Sequence, residues 1–182
     1  MRQLVLCPGA WLPELSAGLA LPLTVERQVQ FWWDPVQPDL FQAGRMPVAM
    51  VELGDGRLFY TMPDTGHGVK IGWHHTGQAT NPIDIERSVS IEERTDIRAL
   101  LDRHMPLARG AERAPAVCLY TSTPDAAFII DRHPHDPRAW IVSACSGHGF
   151  KFAPVVGEIM ADLVTTGQSA FDLTPFALNR FG

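Results

Sequence analysis

Cysteine, tyrosine, long apolar runs and basic blocks are all scarce in this sequence. Three cysteines occur in 182 residues, at Cys7, Cys118 and Cys145. The number is odd and no pair has CxxC spacing, which argues against a disulfide framework and against a structural zinc site. Each reads as a free thiol in a reducing compartment, and the default role of a free thiol is that of a small core residue. No apolar run approaches the roughly 18 residues that cross a bilayer. The apolar stretch within residues 1–7 is too short for the hydrophobic region of a signal peptide. A cytoplasmic protein without a membrane partner is the expectation. The net charge is −5 and lysine and arginine form no block, so a nucleic-acid partner is not expected. There is no G-x-S-x-G elbow and no P-loop. Gly66, Gly68 and Gly72 have G-x-G-x-x-x-G spacing with no βαβ unit after them, which is not a dinucleotide fingerprint.

What is present is a globular composition, 46% hydrophobic and 19% charged. Gln3 to Cys7 reads as a strand buried on both faces, followed by Pro8-Gly9-Ala10 and a helical spacing at Trp11, Leu15 and Leu19. Such a strand needs parallel neighbours, and nothing nearby offers them, so sequence upstream is expected. Residues 23–33 read as a long strand. Met46 to Leu53 and Arg57 to Met62 flank Gly54-Asp55-Gly56, a hairpin signal. Val69 to His75 is a further strand, and the region forms an antiparallel sheet. Ser90-Ile91-Glu92-Glu93 has capping-box form, opening a helix that runs towards Pro106. Strands are expected at Ala116–Thr123, Phe128–Asp131 and Trp140–Ala144. Phe152, Val155, Val156, Ile159, Met160 and Leu163 then share one helical face, with Gly167 as a C-cap.

Several groups could carry chemistry. Gly147-His148-Gly149-Phe150-Lys151 joins a strand to a helix. Its glycines allow close backbone approach, and the helix N-terminus, His148 and Lys151 suit an anion or an electron-rich ring edge. A tight, exposed turn is the plainer reading. Gly66-His67-Gly68-Val69-Lys70 repeats the pattern before a strand. Lys70 lies among apolar neighbours and is either partly buried with a partner or an edge-strand lysine facing water. His133-Pro134-His135 lacks a third metal ligand and reads as a surface turn. In His74-His75, strand alternation sends the two rings to opposite faces.

Taken in order, these stretches resemble the monomeric sarcosine oxidase and N-methyltryptophan oxidase family of FAD-dependent amine oxidases. The matching pieces are Gly9-Ala10-Trp11, Pro22-Leu23 with Arg27-Gln28-Val29, and Tyr60 followed by Pro63. Lys70-Ile71-Gly72-Trp73-His74 with Gly77-Gln78 comes next, then Cys118-Leu119-Tyr120-Thr121 with Pro124-Asp125. Phe128-Ile129-Ile130-Asp131, the stretch from Ser146 to Phe152, and Phe171-Asp172-Leu173-Thr174-Pro175-Phe176 complete the series. Order and approximate spacing hold over nearly the whole chain.

The resemblance implies a mixed α/β and α+β fold. It comprises a remnant of an FAD-binding, Rossmann-like domain at 1–20, an antiparallel-sheet substrate domain at 21–112, and a flavin-contacting return to the FAD domain at 113–182. It implies FAD, held covalently through Cys118, with Gly147, His148, Gly149, Phe150 and Lys151 against the ring. Lys70 matches the lysine that promotes reaction of reduced flavin with oxygen, and Lys151 the lysine that binds the substrate carboxylate, with His148 beside it. Tyr60 and His74 match residues lining the amine pocket. The implied reaction oxidises an N-methyl amino acid such as sarcosine or N-methyltryptophan, with oxygen as second substrate, giving hydrogen peroxide and formaldehyde. Two features depart from the family: its N-terminal G-x-G-x-x-G and carboxylate-binding arginine are missing, and the loop from Pro63 to Lys70 is one residue shorter. A truncated or split half is therefore expected, with a complementing N-terminal chain as partner. The alternatives are a catalytically silent fragment or accessory subunit, and a related oxidase of a cyclic imino acid.

Overall fold

The computed structural model describes residues 3–75 and 77–182. The chain divides into two compact units, one of residues 1–25 with 120–182 and the other of residues 26–119. In chain order the strands are β1 (Leu4–Leu6), β2 (Thr24–Trp33), β3 (Ala49–Glu52), β4 (Leu58–Met62), β5 (Val69–His74), β6 (Gln78–Ala79), β7 (Glu112–Ser122), β8 (Ile129–His133) and β9 (Asp136–Ser143). The helices are α1 (Leu12–Leu15), α2 (Pro38–Phe41), α3 (Ile91–His104) and α4 (Ala153–Thr165). The expected mixed α/β fold with an antiparallel sheet is what the residues build.

The unit of residues 26–119 is organised by its sheet. β3, β4, β5 and β2 lie side by side and antiparallel, and β2 also pairs with β6 and β7. Gly54 and Gly56 lie in the turn from β3 to β4, as the Gly54-Asp55-Gly56 signal predicts, and Gly56 takes φ +83° there. Side chains alternate across a strand, so one face gathers Phe31, Trp33, Phe59, Val69 and Ile71. These pack on Ile97, Leu100 and Leu101 of α3. The capping box at the start of α3 is formed in full. Ser90 Oγ accepts from the Glu93 amide at 3.1 Å, and Glu93 Oε2 accepts from the Ser90 amide at 2.8 Å. Glu93 also pairs with Arg27 of β2, fixing the helix start to the sheet.

The second unit has a three-stranded sheet ordered β1-β9-β8. Successive residues of β8 serve opposite cores. Ile130 packs with Trp140, Val142 and the α4 residues Ile159, Met160 and Leu163. Ile129 packs with Leu12 and Ile141, with Leu178 and Phe181 against them. α4 buries the periodic face read from the sequence, but it starts at Ala153, after a 3-10 turn over Phe150–Phe152.

Three expectations are corrected. The first strand does find a parallel neighbour: Leu4, Val5 and Leu6 pair with Ala139, Trp140 and Ile141 of β9. That partner lies more than 130 positions away, beyond the reach of local inspection. Nor is this strand buried on both faces, because β1 is a sheet edge and Leu4 is 54% exposed. The helical spacing at Trp11, Leu15 and Leu19 yields only the single turn α1 between two 3-10 turns, because Ser16 leaves helical geometry and its hydroxyl bonds back to the Leu12 carbonyl. His133-Pro134-His135 forms a turn, as read from the sequence: it is the hairpin between β8 and β9, with His133 Nδ1 accepting from the His135 amide at 3.2 Å.

Ser90→Ala should lower stability by about 1 kcal/mol, whereas Ser90→Gly should cost only a few tenths. Urea titration followed by circular dichroism reads both. An unchanged midpoint for Ser90→Ala would contradict the capping account.

Candidate flavin- and amine-facing site

The face of the larger sheet turned away from α3 is polar and aromatic. Lys70 is paired across the sheet with Trp32 on one side and Met62 on the other, and Gly72 with Gln30 and Tyr60. Residues two apart share a face, so β5 presents Lys70, Gly72 and His74, β4 presents Tyr60 and Met62, and β2 presents Gln28, Gln30 and Trp32. Lys70 Nζ lies 5.3 Å from the Trp32 ring centroid and 5.7 Å from that of Tyr60. Cation–π attraction of this kind holds an ammonium without a carboxylate partner. Gly72 lets the Tyr60 ring lie close to β5, since a Cβ there would fall 2.7 Å from the Tyr60 hydroxyl and 3.0 Å from Val29 O.

Cys118 comes to this lysine from β7. Burial pulls the Lys70 ammonium below the ordinary lysine range, opposed by the Cys118 thiolate. Burial likewise pushes the Cys118 thiol up, opposed by Lys70. Each group thus feels the other's charge in a half-buried environment, where charges interact more strongly than in water. Of the two readings of Lys70, the partly buried one is observed.

His74 and His75 depart from expectation. Their rings are not on opposite faces but 4.1 Å apart, edge to face. β5 ends at His74, and His75 takes φ +56°, outside strand geometry. The alternation argument fails at that residue.

In the other unit, the loop from Ala144 to Phe152 is tightly built. Ser146 is 1% exposed with φ +50°, and Gly147 follows at φ +74°. The Ser146 amide donates to Thr121 O at 2.9 Å, and its hydroxyl accepts from the Thr123 amide at 3.3 Å. A Cβ on Gly149 would lie 1.5 Å from Ala144 O, so only glycine fits. His148 stacks on Phe128 with centroids 5.0 Å apart, and its Nε2 is 3.0 Å from Ala126 O. Phe150 is 96% exposed and Lys151 is also exposed. No side chain caps the first turn of α4; the Ala153 amide donates to Phe150 O of the preceding 3-10 turn, and Pro154 carries no N–H. Beside the loop, Phe128, His148, Lys151, Phe152 and Phe176 border a largely apolar groove of about 560 Å³.

Residues 1–163 match the FAD dependent oxidoreductase family. The chain belongs to that family. It is 39% identical over 184 residues to a monomeric sarcosine oxidase of Bacillus sp. (strain NS-129), covering 98% of this chain and 47% of the relative. It is 34% identical over 181 residues to an N-methyl-L-tryptophan oxidase of Yersinia pestis (strain Pestoides F), with 98% and 48% covered. This FAD dependent oxidoreductase chain thus spans about half the length of the curated relatives it matches. A solved glycine oxidase from Geobacillus kaustophilus superposes with a TM-score of 0.72 at 25% identity, over 97% of this chain and 45% of the other. NikD, described as an unusual amino acid oxidase, superposes at 0.76 with 18% identity over 97% and 48%, a likeness of fold.

Sequence reasoning named Tyr60, Lys70 and His74 in the substrate domain and Cys118 beyond it; all four lie on strands of one sheet, and Gly147 to Lys151 form one loop. It missed Trp32, Phe128 and Ser146. Trp32 was legible from register alone, as the β2 residue facing Lys70. Phe128 and Ser146 lie in stretches that carry the resemblance, but their contacts depend on partners about 20 positions away, which no local pattern shows.

Because the thiolate is the reactive form, Cys118 should be alkylated by iodoacetamide only as pH rises beyond the ordinary thiol range. Lys70→Met removes the charge that lowers its pKa, so alkylation at a fixed alkaline pH should slow. Peptide mapping by mass spectrometry reads this; faster labelling of Cys118 in Lys70→Met would contradict the pairing.

Proposed function

We propose that this chain supplies the flavin-facing and amine-facing wall of an FAD-dependent oxidase of secondary amines, of the N-methyl amino acid class. The observation that carries the reading is the half-buried Lys70 beside Cys118, on an aromatic sheet face that Gly72 and Tyr60 keep closely packed.

The residues present suit a flavin. A planar ring needs a flat apolar surface with a few placed polar groups, and Trp32, Tyr60, Gly72 and Lys70 provide one. The loop of Gly147, His148, Gly149, Phe150 and Lys151, with its exposed Lys151 cation at the positive end of α4, suits the electron-rich edge of a ring. FAD would supply the acceptor for the hydride equivalent removed from the amine. The chain's own residues would do the rest. Cys118 would tether the cofactor, while Lys70 would present a fixed cation where negative charge develops as oxygen is reduced, a preorganised electrostatic effect. Lys151 and His148 would hold the substrate carboxylate, and Tyr60 and His74 would border the amine. Hydrogen peroxide and formaldehyde are the expected products from an N-methyl substrate. The relatives' names support this substrate class, as sarcosine oxidase and N-methyl-L-tryptophan oxidase are both oxidases of N-methyl amino acids.

Lys70→Met should slow reoxidation by about 10²–10³-fold, the usual cost of losing one preorganised charge. Reduction by the amine should be affected far less. Anaerobic reduction of the flavin-loaded protein with sarcosine or N-methyltryptophan, followed by rapid mixing with oxygen, separates the two steps. Equal slowing of both would contradict the role given to Lys70.

A further inference from the structure

The C-terminal segment after α4 is tied to one short turn. In that turn Asp125, Ala126 and Ala127 lead from β7 towards β8, and Ala126 takes φ +56°, a left-handed conformation that alanine rarely adopts. A strained residue that is not glycine persists only where its surroundings over-determine it. From within the turn, the Ala126 amide donates to Thr123 O at 3.1 Å, and the Thr123 hydroxyl donates to Ala127 O at 2.7 Å. Asp125 Oδ1 accepts from the Ala127 amide at 3.1 Å. Arg180 grips the same turn from the C-terminal segment. Its Nε donates to Asp125 Oδ2 at 2.8 Å, its Nη2 lies 3.4 Å from Ala127 O, and its Nη1 donates to Ala177 O at 2.9 Å. The Arg180 guanidinium holds the Asp125 carboxyl down to about 2, so the ion pair persists at neutral and alkaline pH.

The planarity of one peptide carries this grip to His148. The N–H and C=O of a trans peptide point in opposite directions. With its N–H turned to Asp125, the Ala126–Ala127 peptide must aim the Ala126 carbonyl the other way, and there it meets His148 Nε2 at 3.0 Å. A carbonyl oxygen only accepts, so Nε2 carries the proton. Nδ1 is then the nitrogen left for a ligand. The stack of His148 on Phe128, whose ring is in turn 5.8 Å from that of Phe176, restrains the plane of the imidazole. The hydrogen bond to Ala126 decides which nitrogen is protonated.

The geometry points to Arg180 as a positioning residue for His148: by gripping Asp125 and Ala127, it aims the Ala126 carbonyl that fixes His148 as the Nε2–H tautomer. This rests on the reading that His148 meets the substrate carboxylate. The hydrogen bond made by one ring nitrogen of a histidine determines what the other can offer. Arginine suits the task better than lysine, because its planar fork reaches the Asp125 carboxylate and two backbone carbonyls in one fixed geometry.

Long-range ¹H–¹⁵N spectra of the full chain at alkaline pH, where imidazoles are neutral, report the His148 tautomer without any need for flavin. The parent should show Nε2–H. Arg180→Gln and Asp125→Ala should both show averaging of the two forms. Asp131→Ala is the control for a merely structural role, because Asp131 Oδ2 ties the same C-terminal segment through the Leu178 amide at 2.7 Å, outside the turn. It should keep the parent pattern. In the flavin-loaded protein, KM for the N-methyl amino acid should rise about tenfold in Arg180→Gln, the lower end of what one hydrogen bond to a charged group is worth, with kcat changed less. An unchanged His148 pattern in both Arg180→Gln and Asp125→Ala would overturn the proposal, and so would an equal shift in Asp131→Ala. If Arg180→Gln does not fold, Asp125→Ala decides alone, since Asp125 is the more exposed of the pair, at 44% against 16%. A protein that oxidises no amine while its His148 pattern shifts as described would remove the functional reading and leave the positioning role standing.

Discussion

The two-residue alternation of the antiparallel sheet is the constraint from which the rest of this molecule follows. Phe31, Trp33, Phe59, Val69 and Ile71 must go to one face, where α3 covers them. Their neighbours in sequence, Trp32, Tyr60, Lys70 and Gly72, must then go to the other. Burial of the first set fixes the register, because a slip of one residue would exchange the faces. The core thus determines where Lys70 stands relative to Trp32 and Tyr60. Among the described residues no carboxylate forms a salt bridge with this lysine; the Trp32 and Tyr60 rings lie near its ammonium, and the Cys118 thiol interacts with its charge. Such a placement costs stability through desolvation, and costs of that kind gather at functional sites.

The second unit solves a different problem, the sharp passage from β9 to α4. Two consecutive residues with positive φ, Ser146 and Gly147, turn the chain. The Ser146 amide donates to Thr121 O, its hydroxyl accepts from the Thr123 amide, and the two bonds hold that turn. Gly149 lets the loop pass against Ala144. His148, Phe150 and Lys151 are presented by a backbone that has little freedom to move, which is what recognition of a planar cofactor or a carboxylate asks of a loop. In this loop serine occupies a left-handed position where glycine would be easier, and its hydroxyl has a partner that explains its presence.

Much of this was legible beforehand. The capping box at Ser90, the Gly54-Asp55-Gly56 hairpin and the apolar stripe of α4 are short-range patterns, and they formed close to where they were read. The residues resembling known oxidases came together in two groups for the same reason, since each group lies on one strand set or one loop. Long-range features were not legible. The pairing of β1 with β9, the stacking of His148 on Phe128 and the tie from Ser146 to Thr121 all depend on distant segments. The His74–His75 error has a local cause: alternation was carried one residue past the end of β5, into a backbone that had already left the strand.

The account stands on the claim that the sheet face bearing Lys70 and Cys118 is turned to the flavin. Denaturing the flavin-loaded protein in acid, and locating any retained yellow chromophore by peptide mapping, tests this most directly. The predicted result is flavin on the peptide containing Cys118, and none retained in Cys118→Ser. Flavin that washes off the parent protein, or that remains bound when Cys118 is serine, would contradict it.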